Sequence, residues 1–122
     1  LAPSNPLVSL GPIVEIPSMR ETIINAKAPK VAVSPFIGNK TVKGPANKMM
    51  EELGENPNAV GFAQRFSDII DLLFIDKSDN HLDKEIKSII KKTFFTNILM
   101  KDQNDKLNLS KKIIEVSREL IN

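Results

Sequence analysis

The chain has 122 residues with an apolar fraction of 41%, which suits one domain built on one hydrophobic core. Cysteine is absent, so disulfides and thiolate metal sites are excluded, and that absence suits a reducing cytoplasm. A formal charge of +2, spread without a basic block, gives no electrostatic footprint for nucleic acid, and no apolar run approaches the roughly 20 residues that span a membrane.

In chain order, Leu1-Ala2 reads as the tail of a strand and carries none of the marks of a signal peptide, so the expectation is one C-terminal portion, residues 1–122, of a longer fold. Pro3-Ser4-Asn5-Pro6 forces a change of direction, because two prolines flank two small polar residues. Gly11-Pro12 then breaks residues 7–14 into a short outward turn. Pro17 suits the first position of a helix that runs to about Ala26, with Met19, Ile23 and Ile24 on one face.

Val31-Ala32-Val33 is a buried-strand candidate that ends at Ser34-Pro35, and residues 36–43 read as a loop. Gly44-Pro45 opens a helix through Ala46, Met49, Met50 and Leu53, closed by Gly54. Asn58 is an N-cap candidate for a second helix carrying Ala59, Phe62, Ala63 and Phe66. Leu72-Leu73-Phe74-Ile75 is the next strand, ending at Asp76. A polar turn and a short helix over residues 82–90 lead to a last strand, Thr93-Phe94-Phe95-Thr96. The closing helix, residues 102–121, carries the stripe Leu107, Ser110, Ile113, Ile114, Ser117, Leu120 and Ile121. Strands alternating with helices predict an α/β fold with a mainly parallel sheet.

In such sheets ligands bind beyond the carboxyl ends of the strands. Ser4-Asn5, Ser34-Pro35, Asp76 and Thr96-Asn97 all fall at that edge. Polar turn formers end strands in any α/β protein, and for Asp76 and Thr96-Asn97 the bland and functional readings weigh equally. They weigh equally for Pro3 to Pro6 as well, although its two prolines preorganise the hydrogen-bonding pair between them. The segment from Ser34 to Pro45 adds Gly38, Lys40, Lys43 and Gly44 before a helix start, an arrangement that attracts phosphate. Taken alone it reads first as an ordinary capped helix with solvated lysines. His81 reads as a surface histidine, and the chain has no dinucleotide fingerprint, P-loop or nucleophile elbow.

Ala2-Pro3-Ser4-Asn5-Pro6-Leu7-Val8-Ser9 with Gly11-Pro12-Ile13, then Val31 to Pro35, then Val42-Lys43-Gly44-Pro45-Ala46 with Lys48-Met49-Met50, closely resemble the C-terminal half of the 2-phospho-L-lactate transferases. The likeness continues more loosely through Leu53-Gly54, Ala59, Ala63, Ile75-Asp76, Thr96 and Leu99-Met100. It implies a Rossmann-like three-layer fold that is partial here, with the N-terminal half absent. The implied enzyme is cytoplasmic and moves a phospholactyl or phosphoenolpyruvyl group from a guanosine diphosphate-linked lactate or enolpyruvate donor to the deazaflavin FO. GMP is released, in coenzyme F420 biosynthesis.

Ser4, Asn5 and Pro6 would shape the substrate pocket, Ser34, Pro35 and Gly38 its adjoining wall, and Lys43 and Gly44 a phosphate-facing helix start. Magnesium is implied, with ligands and catalytic residues expected in the missing half, so this portion alone is expected to be inactive. A homodimer is left open. Phe36 and Asn39 depart from the family pattern, where a smaller aliphatic residue and a second glycine are usual. The alternative is a regulatory protein of the same fold that binds a nucleotide sugar and transfers nothing.

Overall fold

A computed structural model describes residues 1–121. Its centre is β4 (Leu72–Asp76), a strand of five buried residues. A run apolar on both faces needs cover on both sides, as central strands of parallel sheets have. β1 (Val31–Val33) and β5 (Lys92–Thr96) flank it, both parallel, with Ala32 opposite Leu73 and Phe74 opposite Phe94. Leu1 extends the outer edge of β1: its nitrogen donates to the Val31 carbonyl at 2.6 Å, and the Val33 N–H donates to the Leu1 carbonyl at 3.1 Å. That is the bond pattern of a parallel pair. The carboxyl ends expected at one edge therefore do lie together.

Alternation along β4 sends its side chains to two cores. Leu73 and Ile75 pack with Phe36, Met50, Phe62, Phe66 and Ile86 under α3 (Ala46–Glu52), α4 (Ala59–Arg65) and α5 (Asp83–Lys87). Leu72 and Phe74 face α6 (Gln103–Arg118), meeting Leu109 with Ile113, Val116 and Leu120. The result is helix, sheet and helix in three layers, the α/β arrangement the alternation predicts.

Several elements differ from expectation. Residues 36–43 contain an antiparallel hairpin, β2 (Phe36–Ile37) and β3 (Lys40–Thr41), instead of a plain loop. Strands of two residues are too short to show a period. Residues 7–14 form a π-helical turn, Pro6–Leu10, and then α1 (Gly11–Val14). The helix expected over residues 82–90 is shortened to α5, behind a 3-10 turn at Lys77–Leu82. Along α6 and the turn after it, the face packed on the sheet runs Leu109, which is buried, with Ile113, Val116 and Leu120 partly buried; Ile113 and Leu120 of the expected stripe thus face the core, while Leu107, Ile114 and Ile121 are exposed. Of the expected face of α2 (Pro17–Asn25), Ile23 packs on the core and Met19 and Ile24 stay exposed. Arg20 secures α2 instead, donating to both Asp68 oxygens at 2.7 and 2.8 Å. No helix among the described residues is long and apolar enough to cross a membrane.

Asn58 does cap α4: its side-chain oxygen accepts from the Val60 and Gly61 N–H groups at 3.0 and 3.2 Å. Asn58→Ala is expected to lower stability by about 1 kcal/mol. An unchanged midpoint of urea unfolding would show that these bonds add nothing.

Candidate functional site

At the carboxyl edge of the sheet, four parts of the chain line a cavity of about 140 Å³. Pro3 and Asn5 come from the first turn, Ser34 and Pro35 from the end of β1, Thr41, Val42, Lys43 and Ala46 from the hairpin and α3, and Ile98 and Met100 from the segment after β5. Its lining is mostly apolar, with Asn5, Ser34, Thr41 and Lys43 as the polar groups.

Asn5 is held by its own turn. Its Oδ1 accepts from the Leu7 and Val8 N–H groups at 2.8 and 3.2 Å, and its carbonyl accepts from the Leu10 N–H at 2.9 Å, closing the π-helical turn. Gly11 ends that turn so close to Pro6 that an added Cβ would stand 2.9 Å from the Pro6 carbonyl oxygen. The Asn5 Nδ2 points to Met49, donating to its sulfur at 3.7 Å. Ser34 is fully buried: its N–H donates to the Phe74 carbonyl at 2.9 Å, and its Oγ accepts from the Phe36 N–H at 3.1 Å. Among the described residues its hydroxyl proton has no acceptor, so a donor remains at the cavity wall. Lys43 is exposed and contributes to the lining.

Of the expected site residues, Asn5, Ser34, Pro35 and Lys43 meet at this cavity; Ser4, Pro6, Gly38 and Gly44 do not line it. Ser4 turns the chain, its N–H donating to the Ala2 carbonyl at 2.8 Å, and Pro6 is buried at the start of the π-helical turn. Gly38 occupies the hairpin tip with φ +61°, and Gly44 has φ +85° in the turn before α3. Both use the left-handed region open to glycine. Thr41, Val42, Ile98 and Met100 are not among the expected site residues, although Val42 and Met100 lie in segments that carry the resemblance; the hairpin and the chain path after β5 bring them in. Thr96 and Asn97 line a separate depression with Asp105, Asn108 and Lys112. His81 is exposed, and the described residues hold no group of three metal-ligating side chains.

Asp76 ends β4 just behind the cavity. Its carboxylate accepts from the Ser78 N–H at 3.0 Å, the Ser78 hydroxyl at 2.7 Å and, across 22 residues, the Ile98 N–H at 3.3 Å. Burial pushes its pKa up, but these bonds and the nearby Lys77 outweigh burial and hold it below the ordinary value. The folded value is thus depressed. Its stabilisation is complete above the unfolded carboxylate pKa of about 3.9 and is lost as pH falls through the folded value. Asp76→Asn should therefore lose less stability than the parent on acidification from about pH 5 to pH 2, read as urea midpoints. Equal losses in the two proteins would contradict this.

The family described as 2-phospho-L-lactate transferase CofD matches residues 1–117. A 2-phospho-L-lactate transferase of Methanocaldococcus jannaschii is 39% identical over 115 residues, covering 94% of this chain and 35% of that protein. Its namesake in Methanothermobacter thermautotrophicus is 37% identical over 111 residues, covering 91% of this chain and 36% of that protein. That of Methanosarcina mazei is 43% identical over 79 residues, covering 65% of this chain and 25% of that protein. The chain thus spans about a third of the length of the first two of these curated relatives.

Proposed function

The chain belongs to the 2-phospho-L-lactate transferase family, and on that premise we propose that the cavity at the sheet edge is one subsite of a transferase. The whole protein would pass a phospholactyl or phosphoenolpyruvyl group from a guanosine diphosphate-linked donor to the deazaflavin FO, releasing GMP, in coenzyme F420 biosynthesis.

The observation that carries this reading is the convergence of Asn5, Ser34, Pro35 and Lys43, from three separate segments, on one cavity. Apolar walls beside a buried hydroxyl and an exposed ammonium suit a substrate with an uncharged part and a phosphate. Size limits the assignment. At about 140 Å³ the cavity is below the roughly 300–1,000 Å³ of complete small-molecule sites, so it takes one fragment of a substrate. The roles of the residues are positioning and charge neutralisation, which dominate phosphoryl chemistry. Asn5 and Ser34 would orient the fragment and Lys43 would offset phosphate charge. Magnesium, implied by the resemblance, finds no set of ligands among the described residues, and no role here depends on it.

The test is GMP release by the whole protein on adding FO and the guanosine-linked donor. Saturable binding of the donor without turnover would reject the transferase reading in favour of a regulatory binder. With turnover established, Lys43→Gln is expected to raise the KM for the donor about tenfold, the effect of losing roughly 1.4 kcal/mol, and to leave the unfolding midpoint unchanged. An unmoved KM would take Lys43 out of the phosphate's reach.

A further inference from the structure

Asp79 is 2% exposed, yet its carboxylate has only one donor among the described residues, the Gly38 N–H, which reaches its two oxygens at 2.9 and 3.1 Å. The contact joins the 3-10 turn after β4 to the tip of the β2–β3 hairpin, 41 residues away in sequence. A buried carboxylate with so little compensation is a poor source of stability, because desolvation offsets much of what the bond returns. Its placement explains it better than its energy does.

The hairpin pairs with itself and not with the main sheet. It is rooted by Phe36, fully buried, and by the Val42 N–H donating to the Pro35 carbonyl at 3.2 Å. At its tip, the other side-chain contact among the described residues is an exposed one between Asn58 and Asn39 at 3.4 Å. The residues that follow the tip, Thr41 to Lys43, form one wall of the cavity. Ile98 also lines the cavity, and its N–H donates to Asp76, the residue from which the same 3-10 turn departs. The turn and the residue that caps it therefore bond to two of the segments that line the cavity or lead into its lining.

We propose that Asp79 is a positioning residue for the transfer reaction: by gripping the Gly38 N–H it fixes the hairpin wall of the cavity in the position that the substrate fragment requires. The inference rests on the transferase reading above. A residue acting this way changes ground-state binding through the placement of Thr41 to Lys43, and so acts on KM more than on kcat.

The experiment compares the whole wild-type protein with Asp79→Ala, Asp79→Asn and, as a control, Ile86→Val, a core substitution outside the cavity. Asp79→Ala is expected to raise the KM for the guanosine-linked donor about tenfold, equivalent to roughly 1.4 kcal/mol, with kcat within about twofold. Asp79→Asn, which keeps an acceptor oxygen for Gly38, should restore most of that affinity. Ile86→Val should lower the unfolding midpoint without moving KM. Amide hydrogen exchange should show faster exchange at Gly38 in Asp79→Ala and protection regained in Asp79→Asn. An active wild type with an unmoved KM in Asp79→Ala overturns this inference alone. Absence of turnover in the wild type removes the transferase reading and this inference with it. If Asp79→Ala does not fold, Asp79→Glu, which pushes the carboxylate out by one methylene, takes its place. A raised KM supports the role, and a wild-type KM in the folded Glu variant overturns it.

Discussion

Gly61→Ala is expected to destabilise the fold by about 3 kcal/mol or more, a large part of the roughly 5–15 kcal/mol that holds a domain together. Gly61 lies in the first turns of α4 and is buried. A Cβ built on it would stand 1.9 Å from the Asn56 carbonyl oxygen and 2.8 Å from the Met50 Cε. The methionine end can turn away, since its thioether chain is flexible. The Asn56 carbonyl is backbone, and moving it would disturb the connection that delivers Asn58 to its capping position. Overpacking against backbone has no inexpensive relaxation. The measurement is urea unfolding of Gly61→Ala beside Gln64→Ala, an exposed site on the same helix. A shift in Gly61→Ala no larger than in Gln64→Ala would mean that the connection moves freely and that the close approach has no energetic weight.

Asn5→Ala is expected to have the largest functional effect, a fall in kcat/KM on the order of 100-fold, the cost of displacing a site by about 1 Å. Two roles meet in this one side chain. Its oxygen caps the π-helical turn through Leu7 and Val8, and its amide stands at the cavity and reaches Met49. Loss of the cap alone should lower stability by about 1 kcal/mol. Asn5→Asp separates the roles: it keeps the accepting oxygen, removes the amide donor and sets a negative charge where a phosphate-bearing substrate is expected. We expect Asn5→Asp to retain near-native stability and still lose most activity. Wild-type activity in Asn5→Asp would confine Asn5 to shaping the turn. Unchanged kinetics in Asn5→Ala at limiting concentrations of both substrates would remove Asn5 from the site.

The helix ends that were legible in the sequence are those decided within one turn of chain. Pro17 starts α2, Asn58 caps α4, and Gly54 follows α3 in the left-handed conformation at φ +73°. Each depends on a local φ preference or a side chain reaching backbone two or three residues away. β4 was legible for a different reason: Leu72 to Ile75 is an unbroken run of four apolar residues, which needs cover on both faces and is of strand length. Pro3 to Pro6 showed a turn, and its family resemblance marked the turn for a site. Local chemistry by itself divided those two meanings evenly.

Other features became definite only once the chain was packed. The closing helical segment offers two apolar faces, and the tertiary structure packs Leu109, Ile113, Val116 and Leu120 against Leu72 and Phe74, leaving Leu107 and Ile114 in solvent. Helical period narrows the choice of face, but the surface of the sheet selects it. The hairpin at residues 36–41 depends on Phe36 entering the core and on Asp79 meeting Gly38, contacts for which neither neighbouring sequence gives a sign. For the same reason Thr41, Ile98 and Met100 join the cavity while Ser4 and Gly38, singled out by type and position, stay off its wall. By itself the sequence determined the order of the parallel strands and the longer helices and the turn at Pro3 to Pro6, because those follow from local sterics and periodicity. The tertiary structure decided which side chains face one another across that site, because long-range packing and parallel register set distances that no local pattern encodes.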